Sequence, residues 1–287
     1  MLQPVKPKIG GQAVIEGVMM RGPKTTAVAV RKNDDIVIKT QENRSLQDKY
    51  KFLKLPILRG IVALIEMLVL GIQTLSYSAS VAGLEDEEEL TGKDIAFALV
   101  SALGFAVLLF IVLPTLAVRY IISGNLQNSF LLSLVEGLIR IAIFVTYIAV
   151  ISLMKDIRRV FEYHGAEHKV VHCYENNEKL TPENAQKYST IHPRCGTSFM
   201  MIVMVVSILL FSFMGWPGVI LRIVSRIVML PIVSGVSYEF IRLAGKCNNP
   251  IIRILNAPGM WLQRLTTREP DKAQLEVAIA ALKSVLN

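Results

Sequence analysis

The stretch that decides the fold is Ile95–Val118, IAFALVSALGFAVLLFIVLPTLAV, which runs for 24 residues without a charged side chain. A helix needs roughly 20 mostly apolar residues to cross a hydrocarbon core of about 30 Å. This stretch therefore predicts a transmembrane helix. Pro114 near its end is compatible with that prediction, because neighbouring helices can satisfy the backbone groups that a proline leaves free.

Three further stretches have the apolarity expected of membrane spans. They are Leu131–Met154, Phe199–Phe213 with a backward extension to Gly196, and Val219–Phe240. The first carries Glu136 and Arg140 four residues apart, and the last carries Arg222 and Arg226 at the same spacing. Residues four apart share one face of a helix. We expect both charged faces to point into a helical bundle, because charge facing lipid is costly.

The composition agrees with a membrane protein. Hydrophobic residues make up 52% of the chain, charged residues only 19%, and the mean hydropathy is +0.46. A typical soluble domain is about 25% charged. The formal net charge is +8. In a membrane protein, excess Lys and Arg marks cytoplasmic loops, so we expect the lipid bilayer and not nucleic acid as the partner.

The segment Leu55–Leu84 is harder to interpret. It is apolar enough to span, but Arg59, Glu66 and Gln73 recur every seven residues along one side. That pattern is typical of an amphipathic helix lying in the membrane interface.

Charge distribution favours the interfacial interpretation. Residues 1–54 are rich in Lys and Arg, and Lys155, Arg158 and Arg159 follow the second clear span. Both positions should therefore be cytoplasmic, which requires an even number of spans between them. We favour four spans plus an interfacial or re-entrant helix at 55–84, with five spans as the alternative.

The predicted fold is mainly α: a polytopic helical membrane protein with a small α+β cytoplasmic domain that carries a short N-terminal hairpin. The hairpin pairs Thr25–Arg31 with Ile36–Thr40. An apolar stripe predicts a C-terminal helix over Lys272–Leu286. The segments are an N-terminal cytoplasmic piece with strands (1–54), the interfacial helix (55–84), a first helix pair (95–154), a cytoplasmic His/Cys segment (155–195), a second helix pair (196–241) and a cytoplasmic tail (242–287).

All four histidines lie within 29 residues, at His164, His168, His172 and His192. His164 and His168 are one helical turn apart, the pair geometry of helical metal sites. With Glu167 they spell His-x-x-Glu-His, the inverted zincin pattern. In such sites the histidines bind a metal and the carboxylate acts as general base on a water.

A third metal ligand is required, and the sequence offers His192 or Cys195. His172 is the doubtful member of the cluster, because a position on a polar helix face is often ordinary surface. Arg194 could clamp an anionic substrate or could equally be an arginine that flanks the membrane.

The N-terminal segment Gly10–Pro23, GGQAVIEGVMMRGP, frames one acid and one base, Glu16 and Arg21. Glycines permit close backbone approach. Glu16 could complete the metal site or orient a ligand. The alternative is a glycine-rich strand that docks on the cytoplasmic domain, with Glu16 paired to Arg21.

Several motifs together resemble a known family. They are GGQAVIEGVMMRGP, YHGAEHKVVHCYE, HPRCGTSF, SYEFIRLAGK and TTREP, in that order along nearly the whole chain. The chain resembles the YqhQ-like bacterial membrane proteins, a domain of unknown function described as metal-dependent enzymes. The resemblance implies a multi-pass protein of the bacterial plasma membrane with a divalent metal, for which we expect zinc. Its motif positions here are Glu16, Arg21, His164, Glu167, His168, His192, Arg194 and Cys195.

Two functions stay open, and a transporter whose path Glu136, Arg140, Arg222 and Arg226 would line is a third, less favoured option. The first is a membrane-bound, metal-dependent hydrolase at the cytoplasmic face, with Glu167 as general base. The second is a non-enzymatic factor associated with the translocon or with membrane-protein biogenesis, in which the metal is structural. A structural site has four protein ligands, whereas a catalytic site keeps one position open. A closed set of four ligands with Glu167 turned away would favour the second function.

Overall fold

A computed structural model describes residue 7 and residues 9–83, 92–122, 128–244 and 250–286. The strands are β1 (Gly10–Val14), β2 (Gly17–Arg21), β3 (Thr25–Lys32) and β4 (Asp35–Glu42). The helices are α1 (Leu46–Lys49), α2 (Leu58–Val81), α3 (Gly92–Val107), α4 (Leu113–Ala117), α5 (Ser129–Ile151), α6 (Lys155–Glu175), α7 (Pro182–Ala185), α8 (Gly196–Ser212), α9 (Val219–Ala244), α10 (Pro250–Thr266) and α11 (Lys272–Leu286). A 3₁₀ turn covers Lys51–Lys54, and π-helical turns at Leu108–Val112 and Val118–Ile122 flank α4.

The four strands form an antiparallel meander in the order β1-β2-β3-β4. The predicted hairpin is confirmed as β3–β4, with Lys32 opposite Asp35 across the turn. The prediction was too short, because the glycine-rich segment forms a second hairpin, β1–β2, with Val14 opposite Gly17. Glu16 and Asn33 have φ values of 50° and 55° in the two turns. Positive φ is what tight two-residue hairpin turns require.

The sheet lies between two helical layers. On one face, Val18, Met20 and Ala29 form a core with α6 and α11, in which Leu275 and Leu282 of α11 are fully buried. The predicted C-terminal helix is therefore confirmed, and its apolar stripe covers the sheet. On the other face, a second cluster packs the sheet against α2. Its members are Val14, Met19, Val28 and Val30 with Leu70, Tyr77, Val81 and Ala82.

Four helices in the described part of the chain are long and apolar enough to cross a membrane. They are Leu58–Val81, Ala96–Ile121, Ser129–Ile151 and Val219–Arg242. The helix Gly196–Ser212 is apolar but shorter. The count of four equals the predicted count, but the set differs, because α2 qualifies and α8 does not. These helices are typical of a membrane protein.

Contacts of α2 bear on its placement. Ser78 accepts a hydrogen bond from the backbone of Ile15 at 3.1 Å, and Glu66 accepts one from Ser45 at 2.9 Å. Leu68, on the same helix, is 56% exposed. One side of α2 thus contacts the polar N-terminal segment at two well-separated points along the helix, and another side is apolar and open. The interfacial placement of this helix stays a prediction, since its length and apolarity also fit a membrane span.

The tail contains a helix that the sequence patterns did not predict. α10 precedes α11 and carries Pro258 and Gly259 in its interior. Because both residues normally break helices, the sequence patterns did not indicate a helix here. The glycine has a packing role, because a Cβ there would lie 2.5 Å from Cα of Ser198 in α8. α10 thus crosses α8 closely, and its C-terminal end reaches the histidines.

Candidate metal centre

Helix α6 carries three of the four histidines on one face. His164, His168 and His172 follow one another at intervals of four residues, and the rings of the first two have centroids 4.5 Å apart. The fourth, His192, comes from the loop before α8, and its ring centroid lies 4.5 Å from that of His172. All four side chains thus lie close together, including His172, which the sequence analysis had left as the doubtful member.

The first group that could hold an ion consists of His164, His168 and Cys195, whose ligand atoms all lie within 4.8 Å of one another. Nε2 of His164 is 3.2 Å from Sγ of Cys195. Cys195 is the N-cap of α8, and its sulfur accepts the backbone N–H of Thr197 at 3.4 Å. The beginning of α8 thus positions the thiol over the histidine pair on α6.

Backbone carbonyls fix the orientation of both rings. Nδ1 of His164 lies 2.7 Å from the carbonyl oxygen of Thr266, and Nδ1 of His168 lies 2.5 Å from that of Thr190. A carbonyl oxygen can only accept a hydrogen bond, so Nδ1 of each ring is the donor and Nε2 is the nitrogen that each ring can offer to an ion. Metal-binding histidines usually donate the N–H of the ring nitrogen that does not bind the metal to a carbonyl or a carboxylate in this way.

The second group consists of His172, Glu175 and His192. His172 donates Nε2–H to the carbonyl of Ile191 at 3.0 Å, and Nε2 of His192 lies 3.4 Å from Glu175. Burial lowers the pKa of His192 to about 3, so its ring is neutral. The sequence offered His192 as a ligand beside His164 and His168, but the geometry groups it with His172 instead. Glu175 had been placed on the same helix face as the histidines but not among the expected ligands.

Arg194 has a partner in this second group. Its guanidinium forms an ion pair with Glu175, at the exposed edge of the cluster. The two sequence-based roles of Arg194 were an anion clamp and a membrane flank, and the observed contact is neither. Through Glu175, Arg194 stabilises the orientation of the carboxylate that faces His192.

Glu167 lies buried beside the first group. Its Oε2 is 3.3 Å from Nε2 of His168. Burial raises the pKa of Glu167 to about 7, an effect that the charges of His164 and His172 and a backbone hydrogen bond from Gly11 partly offset. Among the described residues, no Lys or Arg forms an ion pair with this carboxylate, since Lys169 pairs with Glu269. The partner of Glu167 in the described part of the chain is thus His168 and not a Lys or Arg.

The glycine-rich segment contributes by close approach. A Cβ on Gly11 would lie 2.7 Å from Cγ of Glu167, so only glycine lets β1 pack directly on this carboxylate. Glu16 forms an ion pair with Arg159 and accepts a hydrogen bond from the Tyr163 hydroxyl at 3.2 Å. It does not pair with Arg21, whose Nη1 contacts the sulfur of Met67. Glu16 thus holds the β1–β2 turn on α6, outside both groups of metal-ligand atoms.

The donor set of the first group suits zinc. Two imidazole nitrogens and one thiolate sulfur are ligands that Zn²⁺ prefers, and three protein ligands leave a fourth position open, as in catalytic sites. Residues that sequence reasoning missed are the carbonyls of Thr190 and Thr266 and the side chain of Gln263. Gln263 accepts the backbone N–H of His192 at 2.8 Å and donates to its carbonyl at 2.9 Å. No local pattern signals Thr266 and Gln263, because α10 lies 71 residues or more further along the chain, and Thr190 acts through its backbone carbonyl, which no side-chain pattern reveals.

The fold and the cluster define a class of protein: mainly helical, with apolar helices of membrane-spanning length, a small antiparallel sheet and a buried histidine–cysteine cluster. Within that class, the chain belongs to the family described as "Protein of unknown function (DUF1385)", which matches residues 55–287. It is 34% identical over 300 residues to the "Uncharacterized protein YqhQ" of Bacillus subtilis (strain 168), and the match covers 98% of this chain and 93% of that protein. The resemblance noted from the motifs is therefore confirmed. No solved structure matches the chain.

Proposed function

We propose that the protein is a membrane-bound, metal-dependent hydrolase that acts at the cytoplasmic face of the bacterial plasma membrane. One observation carries the proposal. A three-ligand group of His164, His168 and Cys195 lies next to a buried carboxylate, Glu167, that no described Lys or Arg neutralises. The ligand atoms of the described residues fall into two groups of three. A closed set of four ligands would instead favour a purely structural metal.

The chemistry assigned to the chain's own residues is proton transfer. A divalent ion at His164, His168 and Cys195 would supply Lewis-acid polarisation and make water ionise near neutral pH. Glu167 accepts the proton of the attacking water and returns it to the leaving group. A pKa of about 7 suits both steps, because a general base works best when its pKa is near the operating pH.

The test uses full-length protein in detergent, depleted of metal and then resupplied with zinc. Hydrolysis is assayed on a panel of ester, phosphodiester and peptide probes in mixed micelles. Glu167→Gln should keep the metal and the melting temperature but lose about 10²–10⁴ in rate, the contribution typical of a general base. Asp156→Asn is the matched control, because it removes an exposed carboxylate from the other end of the same helix.

Unchanged turnover in Glu167→Gln would contradict the assigned role. Stoichiometric metal without metal-dependent hydrolysis of any probe would favour the alternative, a structural metal in a factor that assists other membrane machinery such as the translocon.

A further inference from the structure

A second polar cluster lies inside the helical bundle, at the opposite end of α8 from Cys195. It consists of Glu136, Arg140, Arg222 and Arg226, whose side chains are 1%, 10%, 0% and 2% exposed. The 17 residues of α8 span about 25 Å at 1.5 Å per residue. The cluster is therefore remote from the candidate metal centre, and none of the roles proposed for that centre uses it.

One carboxylate faces three guanidiniums. Glu136 contacts Arg140 Nη2 at 2.8 Å, Arg226 Nε at 3.2 Å and Arg222 Nε at 3.9 Å. Arginine keeps its proton in proteins. Three positive side chains and one negative one leave two positive charges without a counter-charge among these four residues. A charge that is buried without a counter-charge is strongly unfavourable, which makes a bound anion the expected balance.

Among the four residues of the cluster, the donors without a partner belong to Arg222 and Arg226. In the described part of the chain, Nε, Nη1 and Nη2 of Arg222 and Nη1 of Arg226 are buried and have no hydrogen-bond partner. By contrast, Arg140 is satisfied, because its Nε donates to the carbonyl of Phe110 at 2.7 Å, within the π-helical turn. The free donors are thus concentrated on one side of the cluster, around Arg222.

Aromatic rings cover these donors. The guanidinium of Arg222 lies 3.6 Å from the ring centroid of Trp216, and that of Arg226 lies 4.3 Å from the ring of Phe211. Cation–π contacts stabilise a guanidinium but supply neither a negative charge nor a hydrogen-bond acceptor. Trp216 stands in the turn between α8 and α9, so it closes the cluster on the side of the helix ends.

The depth of the cluster indicates the ligand. Arg222 is the fourth residue of α9, about one helical turn inside the bundle from the turn that holds Trp216. Tryptophan is enriched at the level of lipid headgroups. A guanidinium fork matches the oxygens of a phosphate in a bidentate manner. We propose that Arg222 and Arg226 bind a phosphate group beneath Trp216, contributed by an anionic lipid headgroup or by free phosphate.

Trp216 provides the readout. The chain has two tryptophans, so Trp261→Phe leaves Trp216 as the only one. The delipidated full-length Trp261→Phe protein is titrated with inorganic phosphate, with dioctanoyl phosphatidic acid and with dioctanoylglycerol, which has the same tails without phosphate. We expect a saturable change in emission with phosphatidic acid, with inorganic phosphate or with both, and none with dioctanoylglycerol. The responding probe identifies the source of the phosphate group.

Arg222→Met and Arg226→Met should each weaken the apparent affinity about tenfold or more, as expected when a charge-assisted hydrogen bond is lost. Arg44→Met is the control, because Arg44 is 89% exposed and far along the chain. A response to chloride equal to that with phosphate would overturn the ligand class. No response to any probe would overturn the site, and a higher melting temperature of Arg222→Met would then show that the arginine is only a buried charge.

Discussion

At the scale of single residues, the histidines differ in which ring nitrogen is available. His164 and His168 donate Nδ1–H to carbonyls, so Nε2 is the nitrogen that each can offer to an ion. Nε2 of His164 lies beside Cys195, and Nε2 of His168 lies beside Glu167. His172 instead donates Nε2–H to the carbonyl of Ile191, and it groups with His192 and Glu175. The same residue type at the same helical spacing thus serves two different groups.

This difference predicts unequal effects of alanine substitution on metal content. His168→Ala removes a ligand of the first group, and its metal affinity should fall by more than the 10–100-fold that loss of a supporting partner costs. His172→Ala should bind the metal nearly normally. Elemental analysis of both purified variants is the measurement. Equal loss in the two variants would mean that the ligands are wrongly assigned or that the two groups act as one.

Part of the candidate metal site could be predicted from the sequence, and part could not. The turn spacing of His164 and His168, with Glu167 between them, was enough to predict a shared site. The choice between His192 and Cys195 was not predictable, because it depends on where the loop before α8 meets α6. The role of Gly11 was also hidden, since its reason is a contact with a side chain more than 150 residues away.

At the scale of elements, β1 is the part of the sheet that touches the site. Gly11 leaves no room for a Cβ against Glu167 and the carbonyl of Met19, whereas a Cβ on Gly10 would meet nothing within 4 Å. The two glycines therefore form a matched pair, one in close contact and one in open space.

Gly11→Ala should lower the free energy of unfolding by about 1–3 kcal/mol, the usual cost of overpacking. Gly10→Ala should leave stability almost unchanged. Thermal melting of both variants, followed by circular dichroism, tests the difference. Equal melting temperatures would show that β1 does not pack on α6 as closely as described.

Helix prediction succeeded where the apolar pattern was uninterrupted and failed where it was broken. α11 was predicted with its observed bounds, because its stripe contains neither glycine nor proline. α10 was missed, because Pro258 and Gly259 interrupt it and the contact with Ser198 that explains the glycine is long-range.

At the scale of the whole molecule, α8 connects the two polar clusters. Cys195 caps its beginning, and Phe211 near its end contacts the buried arginines. Hydropathy predicted the bundle, but it could not decide between α2 and α8 as spans, because that depends on what each helix packs against.

We predict that residues 1–54, 155–195 and 242–287 share the cytoplasmic side, on the basis of their Lys and Arg. Single cysteines in a background that lacks the native ones are labelled with a membrane-impermeant maleimide. A cysteine at Glu178, which is exposed, should react only after permeabilisation. A cysteine at Met214, in the turn after α8, should react in intact cells. Labelling of position 178 in intact cells would reject this topology.

The central claim is that His164, His168 and Cys195 bind one metal ion. X-ray absorption spectroscopy of the purified, zinc-loaded protein tests it most directly. The account predicts two imidazole nitrogens at about 2.0–2.1 Å and one sulfur at about 2.3 Å, with the sulfur contribution absent in Cys195→Ser. A coordination shell without sulfur, or one that Cys195→Ser leaves unchanged, would contradict it.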